Sequence, residues 1–146
     1  MDIRLKKPRY FDLEEFLTSP TARQRSIENI PSWEIIERIN QLALFLDGLR
    51  EAWGSGVRVS SGFRNEALNK AVGGVENSLH RTGWAADIVP VNGDIEGFKR
   101  FVKTWIKDKA FDQCILEHDR KGNQWIHIGL YNNGGGQRHN IFSLAA

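Results

Sequence analysis

The chain has 146 residues, 26% charged and 40% hydrophobic, with a formal net charge of +2, four His, one Cys and five Trp. That length suits one domain burying ~70% of the surface its unfolded chain exposes, so neither a disulfide nor a metal is needed merely to fold it. The single Cys114 excludes an internal disulfide and a multi-Cys zinc ribbon, the small net charge gives no ground for nucleic acid, and no apolar run nears the ~20 residues of a membrane span.

Residues 1–31 read as an irregular N-terminal arm interrupted by Pro8, Pro20 and Pro31. Tyr10, Phe11, Leu13, Phe16 and Leu17 are too apolar for a solvated tail, so the arm is expected to pack on the domain. Ser32 opens the clearest helix. Trp33, Ile36, Ile39, Leu42, Ala43, Leu46, Leu49 and Trp53 recur at helical spacing, Ser32 suits the N-cap, and Gly54 suits the stop. Val57 and Val59 then alternate with Arg58 and Ser60 as a short strand ending at Ser61-Gly62. Asn65 can cap a short helix to Val72, closed by Gly73-Gly74, and a loop runs to about Thr82. A second strand follows over Trp84–Val89. Asp94 caps an amphipathic helix whose buried side is Ile95, Phe98, Phe101, Val102, Trp105 and Ile106. Gln113–Glu117 and Gln124–Leu130 read as a hairpin turning at Asp119–Asn123, and Asn132–Gly136 as a flexible loop before the tail. The hairpin implies antiparallel pairing, so the fold class is α+β: a small antiparallel sheet flanked by helices.

Three stretches carry polar residues on or beside apolar strands: Ser61–Arg64, Ser78–Asp87, and the hairpin with Glu117 and His127. Asp87 lies in the apolar run Trp-Ala-Ala-Asp-Ile-Val, where a bare carboxylate would cost several kcal/mol unless paired or metal-bound. An ion pair to one of the many Arg and a metal site both satisfy it. His80 arrives from a loop that Gly83 lets fold back. His127, between Ile126 and Ile128, points opposite to both. Singly, each His reads as a hydrogen-bonded structural residue. Together with Asp87 they form a known catalytic zinc set of two imidazoles and a carboxylate, with one position open. Hydrolysis at such a site needs a base, and Glu117 on the neighbouring strand is best placed, although a strand-end carboxylate facing solvent is the plainer reading. Arg64 can hold a developing oxyanion or a substrate carboxylate, or simply start a helix. His118 and His139 lie in polar surroundings. No His-Glu-x-x-His is present, which excludes a zincin-type helix site.

Ser-x-His-x-x-Gly-x-Ala-x-Asp over residues 78–87, preceded by Ser-Gly-Phe-Arg and followed by Trp-Ile-His-Ile, resembles the zinc D-alanyl-D-alanine carboxypeptidase family. That family shares its fold with the Hedgehog signalling domain and includes many bacteriophage endolysins. The similarity runs from about Phe11 to Ile128, and the arm, with Phe-Asp-Leu-Glu-Glu-Phe and Ile-Glu-Asn-Ile-Pro, looks like phage-type members. The resemblance implies one zinc on His80, Asp87 and His127, a substrate-orienting and oxyanion-stabilising role for Arg64, and a supporting or substrate-binding role for Ser78. One departure matters. Some members carry their catalytic Glu three residues before the last His, where this chain has Gln124, and others a His two residues before it, where this chain has Trp125. Glu117, in Ile-Leu-Glu, matches a third variant whose acid comes from the preceding strand.

The expected protein is therefore a single zinc peptidase domain over 1–146, a monomer cutting peptidoglycan stem peptides next to a D-amino acid, as a carboxypeptidase or an endopeptidase. The competing reading is a zinc-containing cell-wall-binding or phage structural module without catalysis. Nucleic-acid binding is weak, because at least four of the five Trp fall on core positions and leave no stacking platform. The start, Met-Asp-Ile-Arg-Leu-Lys-Lys, shows no secretory signal. That fits synthesis in the cytoplasm and delivery to the wall by holin-mediated release or from a virion.

Overall fold

The computed structural model describes residues 6–145. A five-stranded sheet in the order β1-β2-β4-β3-β5 forms its centre: β1 Val57–Ser61, β2 Ala85–Pro90, β3 Gln113–His118, β4 Gln124–Gly129 and β5 Asn140–Ala145. The period-2 alternation of each strand gives the sheet two unlike faces. One carries Val57, Val59, Ala86, Ile88, Cys114, Ile126 and Ile128, and this face closes the hydrophobic core. Against it pack the long helix α3 (Trp33–Trp53), through Ile39, Leu42, Ala43, Leu46 and Leu49, and the helix α5 (Ile95–Trp105), through Phe98 and Val102. Ser32 caps α3 by accepting from the Ile35 N–H, and Gly54 ends it in the left-handed conformation at φ 77°. Trp33 matches the helical spacing of α3 but sits on its first turn, beyond the packed stripe, and stays 82% exposed. No helix among the described residues is long and apolar enough to cross a membrane.

The fold is α+β as expected, and it differs from the sequence reading in three places. The arm is not irregular: it holds two short helices, α1 (Leu13–Leu17) and α2 (Pro20–Gln24). Pro20 starts α2 rather than breaking the chain, because its absent N–H falls where a helix has no use for one, while Ser19 caps the Ala22 N–H. Phe11 and Phe16 of this arm are buried in the central core. A one-turn 3-10 helix, Leu79–Thr82, replaces the end of the loop before β2. The largest difference is the tail. Asn132 Oδ1 accepts from the N–H groups of Gly134 and Gly136, which makes the Gly-rich run a defined turn. The chain then returns as β5, parallel to β3, so the sheet is mixed where an antiparallel one is expected. Arg138 locks this return: its guanidinium and backbone N–H together bond both oxygens of Asp112, at 2.7–2.9 Å, and Asp112 is fully buried.

Candidate active site

The second sheet face carries the polar residues. Ser61, Asp87, His127, Ile115 and Phe142 stand in one cross-strand row over β1, β2, β4, β3 and β5. A bulge between Val59 and Ser61 admits Ser60 as an extra residue in β1, which brings Ser61 opposite Asp87. Two positions along, Glu117 pairs with Trp125 and Leu144. His80 enters from the short 3-10 turn, whose first N–H groups include one held by the Ser78 hydroxyl at 3.2 Å. Gly83 ends that turn at φ 85° and passes the chain into β2.

His80 Nε2, Asp87 Oδ1 and His127 Nδ1 form a triangle with all three sides 3.2 Å. All three residues are buried. Each imidazole has an acceptor behind it: His80 Nδ1 donates to the Gly62 carbonyl at 2.7 Å, and His127 Nε2 to Gln113 Oε1 at 3.1 Å. A neutral ring that donates outward presents a lone pair inward. Two nitrogen lone pairs and a carboxylate oxygen then converge with no proton among them, which a cation between them resolves. For a tetrahedral zinc with bonds of about 2.0–2.1 Å, neighbouring ligand atoms lie about 3.3–3.4 Å apart, close to the triangle seen here. These residues fit the metal in donor chemistry and in spacing, and the acceptors behind the rings are what orients metal-binding imidazoles.

Glu117 and Arg64 flank the triangle. Glu117 Oε1 lies 3.9 Å from His127 Nδ1, and its carboxyl is raised by burial first and by the neighbouring Asp87 charge second. A base shifted toward neutrality suits proton transfer near pH 7. Arg64 Nη2 sits 3.8 Å from Asp87 Oδ2. Burial lowers the guanidinium, Asp87 and Glu117 oppose that, and it remains a cation. Arg64 is not a loose helix-start residue. Its Nε donates to Ser61 Oγ at 3.3 Å and its Nη1 to the buried Asn69 Oδ1 at 3.1 Å, while its backbone N–H bonds the His80 carbonyl. Ser78 lies on the rim of a cleft of ≈ 860 Å³ that Arg64, Glu117 and His127 also line. His118 and His139 stand apart from it and exposed.

The structure thus brings together all six residues singled out in the sequence. It adds partners that the sequence did not point to. Gln113 sits behind His127, Asn69 behind Arg64, and Asn29 bridges the arm to the loop carrying Arg64 through the Phe63 carbonyl and the Asn65 N–H, both at 2.8 Å. Gly62 belongs with them. Its carbonyl receives His80 and its Cα lies against the Phe16 backbone of α1, where any Cβ would collide. The one legible sign of these roles was the Ser-Gly-Phe-Arg run itself.

Among curated proteins none matches the chain. A family model described as Peptidase M15 matches residues 9–129, which takes in the arm from residue 9 on, the triangle, Glu117 and Arg64. The chain therefore belongs to the peptidase M15 family, the zinc-dependent, D-alanyl-D-alanine carboxypeptidase-like metallopeptidases that act on peptidoglycan.

Proposed function

We propose that this protein hydrolyses a peptide bond next to a D-amino acid in peptidoglycan stem peptides, as an endolysin of a phage or prophage that reaches the wall after synthesis in the cytoplasm. The observation that carries the chemistry is the buried His80–Asp87–His127 triangle with a carboxylate and a guanidinium on its open side. The likeness of the arm to phage-type members supports the biological setting.

His80, Asp87 and His127 would hold one zinc. When bound, the ion supplies a Lewis acid for the scissile carbonyl and lowers the pKa of water toward ~7. Glu117 is the general base. It faces the triangle from the next strand, takes a proton from the attacking water at a carboxylate oxygen, and returns it to the leaving amine. Arg64, fixed from behind by Ser61 and Asn69, presents its charge where the carbonyl oxygen becomes negative. A donor held by two partners needs no rearrangement as that charge develops. Gln113 and the Gly62 carbonyl keep the two imidazoles turned inward. Ser78 caps the turn that delivers His80 and offers its rim position to the substrate backbone.

The test is digestion of isolated muropeptides by the purified protein with added zinc, read by mass spectrometry. Loss of a terminal D-alanine identifies a carboxypeptidase, and cleavage of cross-linked dimers to monomers an endopeptidase. Muropeptides that stay intact but bind the zinc-loaded protein would replace this reading with the non-catalytic wall-binding module.

A further inference from the structure

The cleft does not stop at the triangle. On the far side of Ile115 it runs onto β5, where Phe142 and Leu144 line it while remaining 41% and 48% exposed. Val75, 67% exposed, borders the same cleft from the loop after α4 (Glu66–Ala71). Exposed large apolar side chains scattered over a surface need no explanation, but among the described residues three of the eight gather on this one cleft. The register shows why two of them do so. Phe142 stands in the cross-strand row of Asp87 and His127, and Leu144 in that of Glu117. Both therefore project from the face that carries the polar site, whereas Ile141 and Ser143 of the same strand point to the other face. The Asp112–Arg138 bonds hold the strand there. The match to the family model ends at residue 129, so β5 lies outside the matched residues.

We infer that Phe142 and Leu144 form an apolar subsite for the substrate's own peptide, selecting an aliphatic side chain two to three residues from the scissile bond. This rests on the peptidase reading above. Neighbouring strands lie ~4.8 Å apart, so the β5 row is about 10 Å from the β4 row, and an extended peptide covers that in roughly three residues. A substrate whose carbonyl sits at the triangle and whose arm crosses Ile115 places its second or third side chain between Phe142 and Leu144. Of the charged residues that line the cleft, Arg64 and Glu117 stand at the triangle, and the third, Arg138, is tied to the buried Asp112 carboxylate, so between Phe142 and Leu144 the wall is apolar.

The test uses the full chain with zinc and synthetic peptides sharing one D-alanyl bond, extended by three residues on either side and ending in leucine or glycine. On one side the leucine peptide is expected to be cleaved with a kcat/KM roughly 10-fold higher than the glycine peptide, carried by KM. The preference should fall toward one in Phe142→Ser/Leu144→Ser and persist in Phe142→Leu/Leu144→Met. Leu144→Ser alone, at a half-exposed position, gives the same readout if the double variant does not fold. The same peptides are titrated calorimetrically into Glu117→Gln protein. Binding with the leucine preference but no cleavage by the wild type would sink the peptidase reading and leave the subsite standing. Cleavage without any leucine preference overturns the subsite and leaves the peptidase reading intact. A dimer in sedimentation that the serine variants dissociate would also overturn it, because β5 would then be covered by a second copy.

Discussion

Glu117 Oε1 lies 3.9 Å from His127 Nδ1, although the two residues sit on different strands and two register positions apart. The carboxylate reaches the triangle without belonging to it. That separation predicts that Glu117→Gln keeps zinc and loses turnover. The amide has the shape of the acid but accepts no proton at neutral pH, and losing a general base costs about 10²–10⁴ in rate. Metal content by atomic absorption and kcat on a muropeptide check both halves. Loss of the metal with the activity would place Glu117 among the ligands instead.

Gln113 meets the metal-binding set only at the back of His127, so its effect on the metal acts through ring orientation. Gln113→Ala should weaken zinc about 10–100-fold, measured by competition with a chromophoric chelator, while Gln113→Glu, which keeps an acceptor, should lose much less. Equal zinc affinity in all three proteins would mean that the Gln113 contact does not orient the ring.

Asp112 is fully buried and its carboxyl is held below the usual range, chiefly by its hydrogen bonds to Arg138 and against the opposing effect of burial. A depressed carboxylate pKa contributes stability that is complete above the unfolded value of ~3.9 and is lost as pH falls through the lower folded value. Asp112→Asn should therefore cost about 1–2 kcal/mol at pH 7, less than a wholly buried pair because the Arg138 guanidinium is half-exposed. The gap in Tm to the wild type should narrow as pH drops below ~4. A gap that stays constant down to pH 2.5 would show that shape rather than charge is what Asp112 supplies.

Cys114 faces the core side of β3, and burial pushes its thiol up to about 12. The thiolate is the reactive form, so a disulfide reagent at pH 8 should label none of the folded protein and one thiol per chain in guanidinium. Rapid labelling of the native state would mean that β3 opens readily.

The site was largely legible in the sequence because two of its three metal-binding candidates conflict with their surroundings. His127 between two isoleucines and Asp87 in an apolar strand are residues that burial penalises unless something binds them. The long helix α3 was equally plain, from its spacing and its Ser32 and Gly54 ends. The residues behind the site were not legible. Gln113 and Asn69 are ordinary polar residues by composition, and only the register of β3 on β4 and the turn after α4 give them partners. β5 was missed because Asn-Ile-Phe-Ser-Leu-Ala puts apolar residues on both faces. Its parallel pairing with β3 also follows from a buried Asp112–Arg138 contact 26 residues apart, which no local pattern announces. Pro20 reads as a break in the sequence because a proline at the start of a helix and one between loops look alike until the cap at Ser19 is seen.

The most direct measurement is a zinc titration of chelator-stripped protein, following muropeptide cleavage by mass and metal binding in the same samples. Activity should rise linearly and level off at one zinc per chain, and His80→Ala protein should stay inactive across the range. Full cleavage by the stripped protein, or a zinc-saturated protein that cleaves nothing, would contradict a catalytic metal held by His80, Asp87 and His127.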